Sequence, residues 1–254
     1  MNCAALIAAA GLSSRMGNYK PLLKLGELTL AERTVLALRQ GGCREIVIIT
    51  GHNADQLKGH LQAFNPTYIH NKNYAATKMF DSAKLGLSYL KNRCDKLLFL
   101  PIDTPLFSEN IVRQLLACQA QTAVPCYHGK SGHPLLLDAS LIDIILDYDG
   151  AGGMHGALQN AGCNPYLLQT DEQGVTVDAD TPEEFAQMRA LYMQKAAPAR
   201  QIYLIRHCRP DFGDGQMLCL GKTDLPLGKQ GELEAKELRD YFKHKNLSAV
   251  YSSD

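Results

Sequence analysis

Apolar positions along the chain fall into two alternating patterns. Continuous apolar runs of strand length lie at residues 6–10, 46–50, 97–100, 123–127 and 135–137. Between them, near residues 30–40, 54–63, 81–91, 108–120 and 139–147, apolar residues recur with a helical period. A run that is apolar at every position suits a strand covered on both faces, and strand–helix alternation supplies the crossovers that parallel strands require. The pattern therefore predicts an α/β fold of three layers, a doubly wound, mostly parallel sheet between two layers of helices. A last helix is predicted over residues 182–195, with Thr181 as its N-cap and Pro182 in its first turn. A short run of small residues follows, and then the pattern restarts, with a strand at 202–205, a helix at 229–243 and a short strand at 249–251. This divides the chain into a domain of residues 1–195, a linker at 196–200 and a second segment, 201–254.

Composition narrows the partners. The 254 residues carry 26 Lys and Arg against 26 Asp and Glu, a formal net charge of zero. That balance argues against nucleic acid and for a small-molecule partner. No apolar segment is long enough for a membrane helix, and the strand-like run after Met1 has no basic stretch before it, so a cytoplasmic location with no membrane partner is expected. The eight cysteines form no CxxC pair. Reduced thiols fit this pattern better than a disulfide framework, and no spacing suits a structural zinc.

The candidate chemistry begins directly after the first apolar run, with Gly11-Leu12-Ser13-Ser14-Arg15-Met16-Gly17. Glycine permits the tight backbone curvature that turns successive N–H groups toward an anion. Ser13 and Ser14 add hydroxyl donors, and Arg15 and Lys20 add positive charge, which together make a grip for polyphosphate. The spacing is neither the GxGxxG of dinucleotide folds nor the GxxxxGK[ST] of a Walker A loop. Past the run at 97–100 stands Asp103, followed by Thr104 and Pro105. A carboxylate at the end of a strand in an open parallel sheet sits where ligands bind and can hold Mg²⁺, although aspartate also caps turns.

The longer string from Ala8 to Leu23 closely resembles the signature LAAGxSxRMGxxKxLL of the molybdenum cofactor nucleotidyltransferase family. The resemblance implies that Ala9, Ala10, Gly11, Ser13, Arg15, Gly17 and Lys20 bind a nucleoside triphosphate. Arg15, Lys20 and Asp103 then carry catalysis. Ala-Ala-Gly, rather than Ala-Gly-Gly, is similar to the cytidylyl-transferring branch, so CTP is favoured. The segment at Asp103 resembles the family's DxP motif, whose aspartate binds magnesium. The stretch from Asp178 to Glu184 resembles its closing DIDTPED motif, which implies Asp180, with Asp178 nearby, at the same metal. Gly132-His133-Pro134 resembles its GHP element, on the acceptor side. Asp149 to Gly156, including His155, reads as a flexible substrate loop. The segment from Lys78 to Gly86 departs from the family's GMxxSLxxG. Ser82 and Gly86 keep register, but Lys78 stands in place of glycine. Lys78, Ser82 and His133 are thus the expected acceptor-binding residues, with Lys78 and Asp81 pointing to a different phosphate-bearing acceptor.

In the second segment, the strand expected at 202–205 ends in Arg206-His207-Cys208. It resembles the RHG motif of the histidine phosphatase (phosphoglycerate mutase-like) family, as do Gly221–Leu227 and the closing Val250–Asp254. The resemblance implies His207 as phosphorylated nucleophile and Arg206 as phosphate ligand. Cys208 replaces the motif's glycine, and the family's later catalytic residues lie past Asp254, so this segment is expected to be incomplete and without phosphatase turnover. The expected function is Mg²⁺-dependent nucleotidyl transfer to a phosphorylated small molecule, molybdopterin being the family's acceptor. A sugar, polyol or choline phosphate acceptor is the near alternative, and a nucleotide-binding regulatory protein without turnover the distant one.

Overall fold

In the computed structural model, residues 2–195, 203–213, 225–243, 245, 247 and 249–251 are described. The chain divides into two compact units, Met1–Ala196 and Ala197–Asp254. The linker expected at 196–200 lies outside the described residues, as do Gly221 to Asp224 of the phosphatase-like motif.

The first unit opens with β1 (Cys3–Ala9), a short β2–β3 hairpin (Lys24–Leu25 and Leu28–Thr29) and α1 (Leu30–Gly41). β4 (Glu45–Thr50), α2 (Ala54–His60), β5 (Thr67–His70), α3 (Met79–Leu90) and β6 (Lys96–Pro101) follow. Then come α4 (Glu109–Ala117), β7 (Thr122–Tyr127), β8 (Lys130–Ser131), β9 (Leu135–Asp138), α5 (Ile142–Asp147), α6 (Gly153–Asn160), β10 (Tyr166–Gln169) and α7 (Pro182–Lys195). The main sheet runs β10-β7-β9-β6-β1-β4-β5, with β8 paired to β7. β1 pairs parallel with both β4 and β6, β5 pairs parallel with β4, and β10 parallel with β7. β9 is antiparallel to both its neighbours, β6 and β7. This is the mostly parallel three-layer α/β sheet that the pattern predicts.

Alternation along β1 explains the layers. Ala5, Ile7 and Ala9 face one core with Val35 and Leu38 of α1 and Val112 and Leu115 of α4. Ala4, Leu6 and Ala8 face the opposite core with Ala83 and Leu87 of α3, Ile145 of α5 and Leu158 of α6. Every residue of β1 is buried, so the strand reads as one apolar run. α3 crosses so close to β1 that a Cβ on Gly86 would overlap the Leu6 side chain and crowd Ile49. Gly86→Val is expected to cost about 3 kcal/mol of stability through overpacking, read as a lower urea midpoint with unchanged slope.

Local signals fix the helix starts. Thr29 Oγ1 accepts the Glu32 N–H at 3.2 Å, and Glu32 Oε2 accepts the Thr29 N–H at 2.7 Å, a reciprocal cap on α1. Burial raises the Glu32 carboxyl, but the hydrogen bonds from Thr29 and the contact with His60 outweigh it and hold the group below the ordinary glutamate value. A depressed carboxyl contributes stability above the unfolded value of about 4.3 and loses it as pH falls through the lower folded value. Glu32→Ala is therefore expected to cost about 1 kcal/mol at neutral pH, with the melting curves of the two proteins converging in acid.

The structure departs from the sequence reading in several places. The stretch read as a flexible loop at Asp149–Gly156 becomes helical from Gly153, because Met154, Ala157 and Leu158 recur at helical spacing and pack on the core. Gly156 is needed there, since a Cβ would strike the Ala151 carbonyl. β5 and β10 were not expected. In the second unit, α8 (Lys229–Phe242) forms as the pattern predicts. The strands expected at 202–205 and 249–251 do not: the described residues 203–205 and 249–251 are irregular, with Leu204, Val250 and Tyr251 exposed. Strand geometry is held by a paired neighbour, and these residues form no ladder with any described residue.

Candidate active site

The parallel strands bring their C-terminal ends to one edge of the sheet. The loop after β1 leaves from Ala10 and is pinned by Met16, which is buried with Leu25, Leu30, Ala179 and Met188. Ser13 takes a left-handed backbone (φ 53°), as does Gly17 (φ 70°), and glycine meets that demand without strain. Ser13 closes the turn by accepting the Met16 N–H on its carbonyl at 3.1 Å, while its Oγ accepts the Lys20 N–H at 3.3 Å. Gly11, Ser14 and Arg15 are left exposed around this turn.

Lys20 is the centre of the charged site. It is only 8 % exposed, and its ammonium lies 3.1 Å from Asp103 Oδ2 and 2.5 Å from Asp180 Oδ1. Asp103 follows β6, and Asp180 immediately precedes the α7 cap, where Glu184 accepts the N–H groups of Asp180 and Thr181 at 3.0 and 2.9 Å. Arg15 reaches the other oxygen of Asp180 at 2.7 Å. Burial pulls the Lys20 pKa down, but hydrogen bonds and charge from Asp180 and Asp103 more than restore it, and it ends above the ordinary lysine value. Asp103 is raised by burial, which the Lys20 charge offsets only in part. Asp180 is lowered by its hydrogen bond from Lys20, against a smaller burial effect, with Arg15 adding to it.

Two carboxylates from distant loops thus converge on one cation. Among the described residues no cluster of three or more His, Cys, Asp or Glu side chains is placed to hold a metal alone. Magnesium suits such a pair, since it takes one or two carboxylates and fills its shell with phosphate oxygens and water. Asp178 is exposed and makes no ion pair with these groups; its charge acts on His133.

Two cavities meet at this edge. The smaller, about 170 Å³, is lined by Ala8 to Gly11, Ser13, Lys20 and Asp103 on one side and by Tyr74, Thr77 and Ser82 on the other. The larger, about 990 Å³, is lined by apolar residues such as Phe80, Phe99 and Leu158, with His133, Asp149 and His155 among the polar ones. Lys78 and Met79, at the start of α3, line both. The expected acceptor residues are therefore divided: Lys78 and His133 face the larger cavity, whereas Ser82 faces the smaller one beside the loop. The Nδ1 of His133 is buried without a hydrogen-bond partner among the described residues, and burial lowers its pKa, favouring the neutral ring.

Residues 5–166 match the family of MobA-like NTP transferase domains. The chain belongs to that family. The chain is 26% identical to the molybdenum cofactor cytidylyltransferase of Escherichia coli (strain K12) over 191 residues, 74% of this chain and 96% of that protein. The fold is also that of a nucleotidyl transferase from Methanothermobacter thermautotroptrophicus, with TM-score 0.66 and 21% identity, covering 77% of this chain and 99% of the other. A Mycobacterium tuberculosis protein solved as a complex with manganese shares it as well, with TM-score 0.63 and 17% identity over 75% and 99% of the two chains. Residues 202–254 match part of the histidine phosphatase superfamily, branch 1. No helix among the described residues is long and apolar enough to cross a membrane, and the described cysteines are unpaired.

Beyond the MobA-like domain, Arg206 and His207 are exposed and line a cavity of about 420 Å³ with Glu234, Glu237, Leu238 and Tyr241, mostly from α8. His207 Nδ1 lies 3.0 Å from the Cys208 carbonyl. Asn71, Tyr74 and Thr77, on the MobA-like side, carry no motif that marks them in the sequence. Asn71 directly follows β5, and a polar residue at the end of a parallel strand is a site signal only once that strand has been recognised.

Proposed function

We propose that this chain catalyses Mg²⁺-dependent transfer of a nucleotidyl group, CTP being the favoured donor, to a phosphorylated small molecule of the molybdopterin type, with release of pyrophosphate. The observation that carries this reading is the convergence of Lys20, Arg15, Asp103 and Asp180 at the sheet edge, beside two cavities that share Lys78. An oxygen of the acceptor phosphate attacks the α-phosphorus of the triphosphate, the bond to the β-phosphate oxygen breaks, and pyrophosphate leaves. Lys20 and Arg15 are placed to exchange their carboxylate partners for phosphate oxygens and to hold the leaving group. Asp103 and Asp180 would hold the Mg²⁺, which when bound neutralises charge on the reacting phosphates. Ala9, Ala10, Gly11 and Ser13 line the cavity in which the nucleotide would lie, Gly17 belongs to the same loop, and Lys78 and His133 would take the acceptor. The reaction asks the protein for positioning and charge, and no side-chain nucleophile is required.

Lys78 supports a second acceptor class. A lysine on the wall shared by both cavities, with no ion pair to any described residue, favours an acceptor that carries its phosphate on a sugar, polyol or choline. One screen tests both readings: the four triphosphates against molybdopterin and a panel of phosphorylated alcohols, reading pyrophosphate. Turnover with molybdopterin and CTP supports the first reading, and turnover with a phosphorylated alcohol alone supports the second. Tight triphosphate binding without turnover on any acceptor would instead indicate a nucleotide-binding regulatory protein.

A further inference from the structure

Asn71 is only 5 % exposed and sits where β5 ends, its N–H donating to the Thr50 carbonyl at 2.8 Å. Both polar atoms of its side-chain amide are engaged. Nδ2 donates to Thr77 Oγ1 at 2.8 Å and to Ser82 Oγ at 2.9 Å, while Oδ1 accepts the Asn73 N–H at 2.9 Å. The network decides which amide atom is which, because the opposite orientation would set the NH₂ against the Asn73 N–H, donor to donor. Thr77 spends its own hydroxyl hydrogen on the Asn73 carbonyl at 3.0 Å. Ser82 is different. Its oxygen receives a hydrogen from Asn71, but its hydroxyl hydrogen finds no acceptor among the described residues. Ser82 is 4 % exposed and lines the smaller cavity.

A hydroxyl on a cavity wall, with one lone pair engaged and its hydrogen free, suits an acceptor atom on the occupant. The charged groups on the walls of this cavity are Lys20 and Asp103, and Lys78 where it adjoins the larger one. The Ser82 hydroxyl is neutral and shares the cavity with Ala8, Ala9 and Ala10, which suits an uncharged heterocycle there and the phosphates nearer the charges. We propose that Asn71 is a positioning residue for the nucleotide: it orients Ser82 as a hydrogen-bond donor to a carbonyl oxygen or unprotonated ring nitrogen of the nucleobase. The proposal rests on the reading of this cavity as the nucleotide site.

Asn71→Asp tests it with little change of shape. A carboxylate has no hydrogen to give, so Ser82 turns its hydrogen toward position 71 and shows the base a lone pair instead. Equilibrium binding of CTP, UTP, ATP and GTP is measured by calorimetry for wild type, Asn71→Asp, Ser82→Ala and the double variant, with melting temperatures alongside. For the triphosphate that wild type binds most tightly, each single variant is expected to bind about tenfold more weakly, and the double variant no more weakly than Ser82→Ala alone. The kcat at saturating nucleotide is expected to change little beside KM. Wild-type affinity in Asn71→Asp overturns the proposal. So does a further loss when Asn71→Asp is added to Ser82→Ala, since that would mark simple charge repulsion or a structural role. If Asn71→Asp does not fold, Ser82→Ala decides the matter alone, wild-type affinity in it being the overturning result. Because binding is measured apart from turnover, triphosphate binding without pyrophosphate release would remove the transfer reaction and leave this proposal standing. Failure of wild type to bind any triphosphate would remove both.

Discussion

Asp103→Asn is expected to lower metal-dependent pyrophosphate release by about a thousandfold or more with the fold intact. The amide keeps the size of the carboxylate, and its oxygen still accepts from Lys20, whose ammonium lies 3.1 Å away. It cannot supply the negative charge of a carboxylate, and Asp180 is then the one carboxylate of the pair left for the cation. Two measurements separate this outcome from a general defect. Binding of Mn²⁺ in the presence of nucleotide, followed by its spin-resonance signal, should weaken strongly, while the thermal melt without metal should stay near that of wild type. Undiminished pyrophosphate release from nucleotide and acceptor would remove Asp103 from the proposed mechanism.

Lys20→Met is expected to damage both stability and activity. The Lys20 side chain is buried between two carboxylates, and its loss leaves the half-buried Asp103 facing Asp180 without the counter-charge between them. Removing one member of a buried ionic cluster costs about 3 kcal/mol, reduced where Asp180, with 30% of its side chain exposed, retains water. The sign with pH follows from Asp103. Its carboxyl is already raised by burial, and once protonated it needs no counter-charge, so the stability deficit should shrink as pH falls. Lys20→Met combined with Asp103→Asn is expected to recover much of the stability and none of the activity. Loss of a preorganised cation at the phosphates should reduce kcat/KM by about a hundredfold or more. Urea unfolding at neutral and acid pH, with pyrophosphate release at saturating metal, reads both effects. A single variant as stable and as active as wild type would place Lys20 outside the site.

Much of the candidate site is legible in the chain itself because its signals are local. The turn from Gly11 to Gly17, with Arg15 and Lys20, is one short continuous string, and Asp103 directly follows an apolar run. Central strands are legible for a related reason: β1, β4 and β6 are buried on both faces and read as unbroken apolar runs. Edge strands carry no such mark. β5 is half-buried and β10 largely exposed, so neither stands out from a loop, and with β5 go Asn71 and its hydrogen bonds. The helix α6 hides behind glycines, which read as a loop until Gly156 is seen pressed against the Ala151 carbonyl.

The α/β class, the order of central strands and helices, the charged glycine-bearing turn and the acids available to it are all written in the chain. These follow from residue periodicity and from the chemistry of neighbouring residues, which a single string contains. Which of these groups meet depends on packing in three dimensions. Lys20 reaches Asp103 across 83 positions and Asp180 across 160, contacts that no local pattern encodes. They arise because β1 and β6 are parallel neighbours ending at the same edge, and because Met16, Leu25 and Leu30 pack with Ala179 and Met188 to dock α7 beside the turn. The same strand geometry placed Ser82 on the smaller cavity instead of the larger one. A side chain's partner across a cavity wall depends on strand order and helix approach, and those are set by packing of the whole domain.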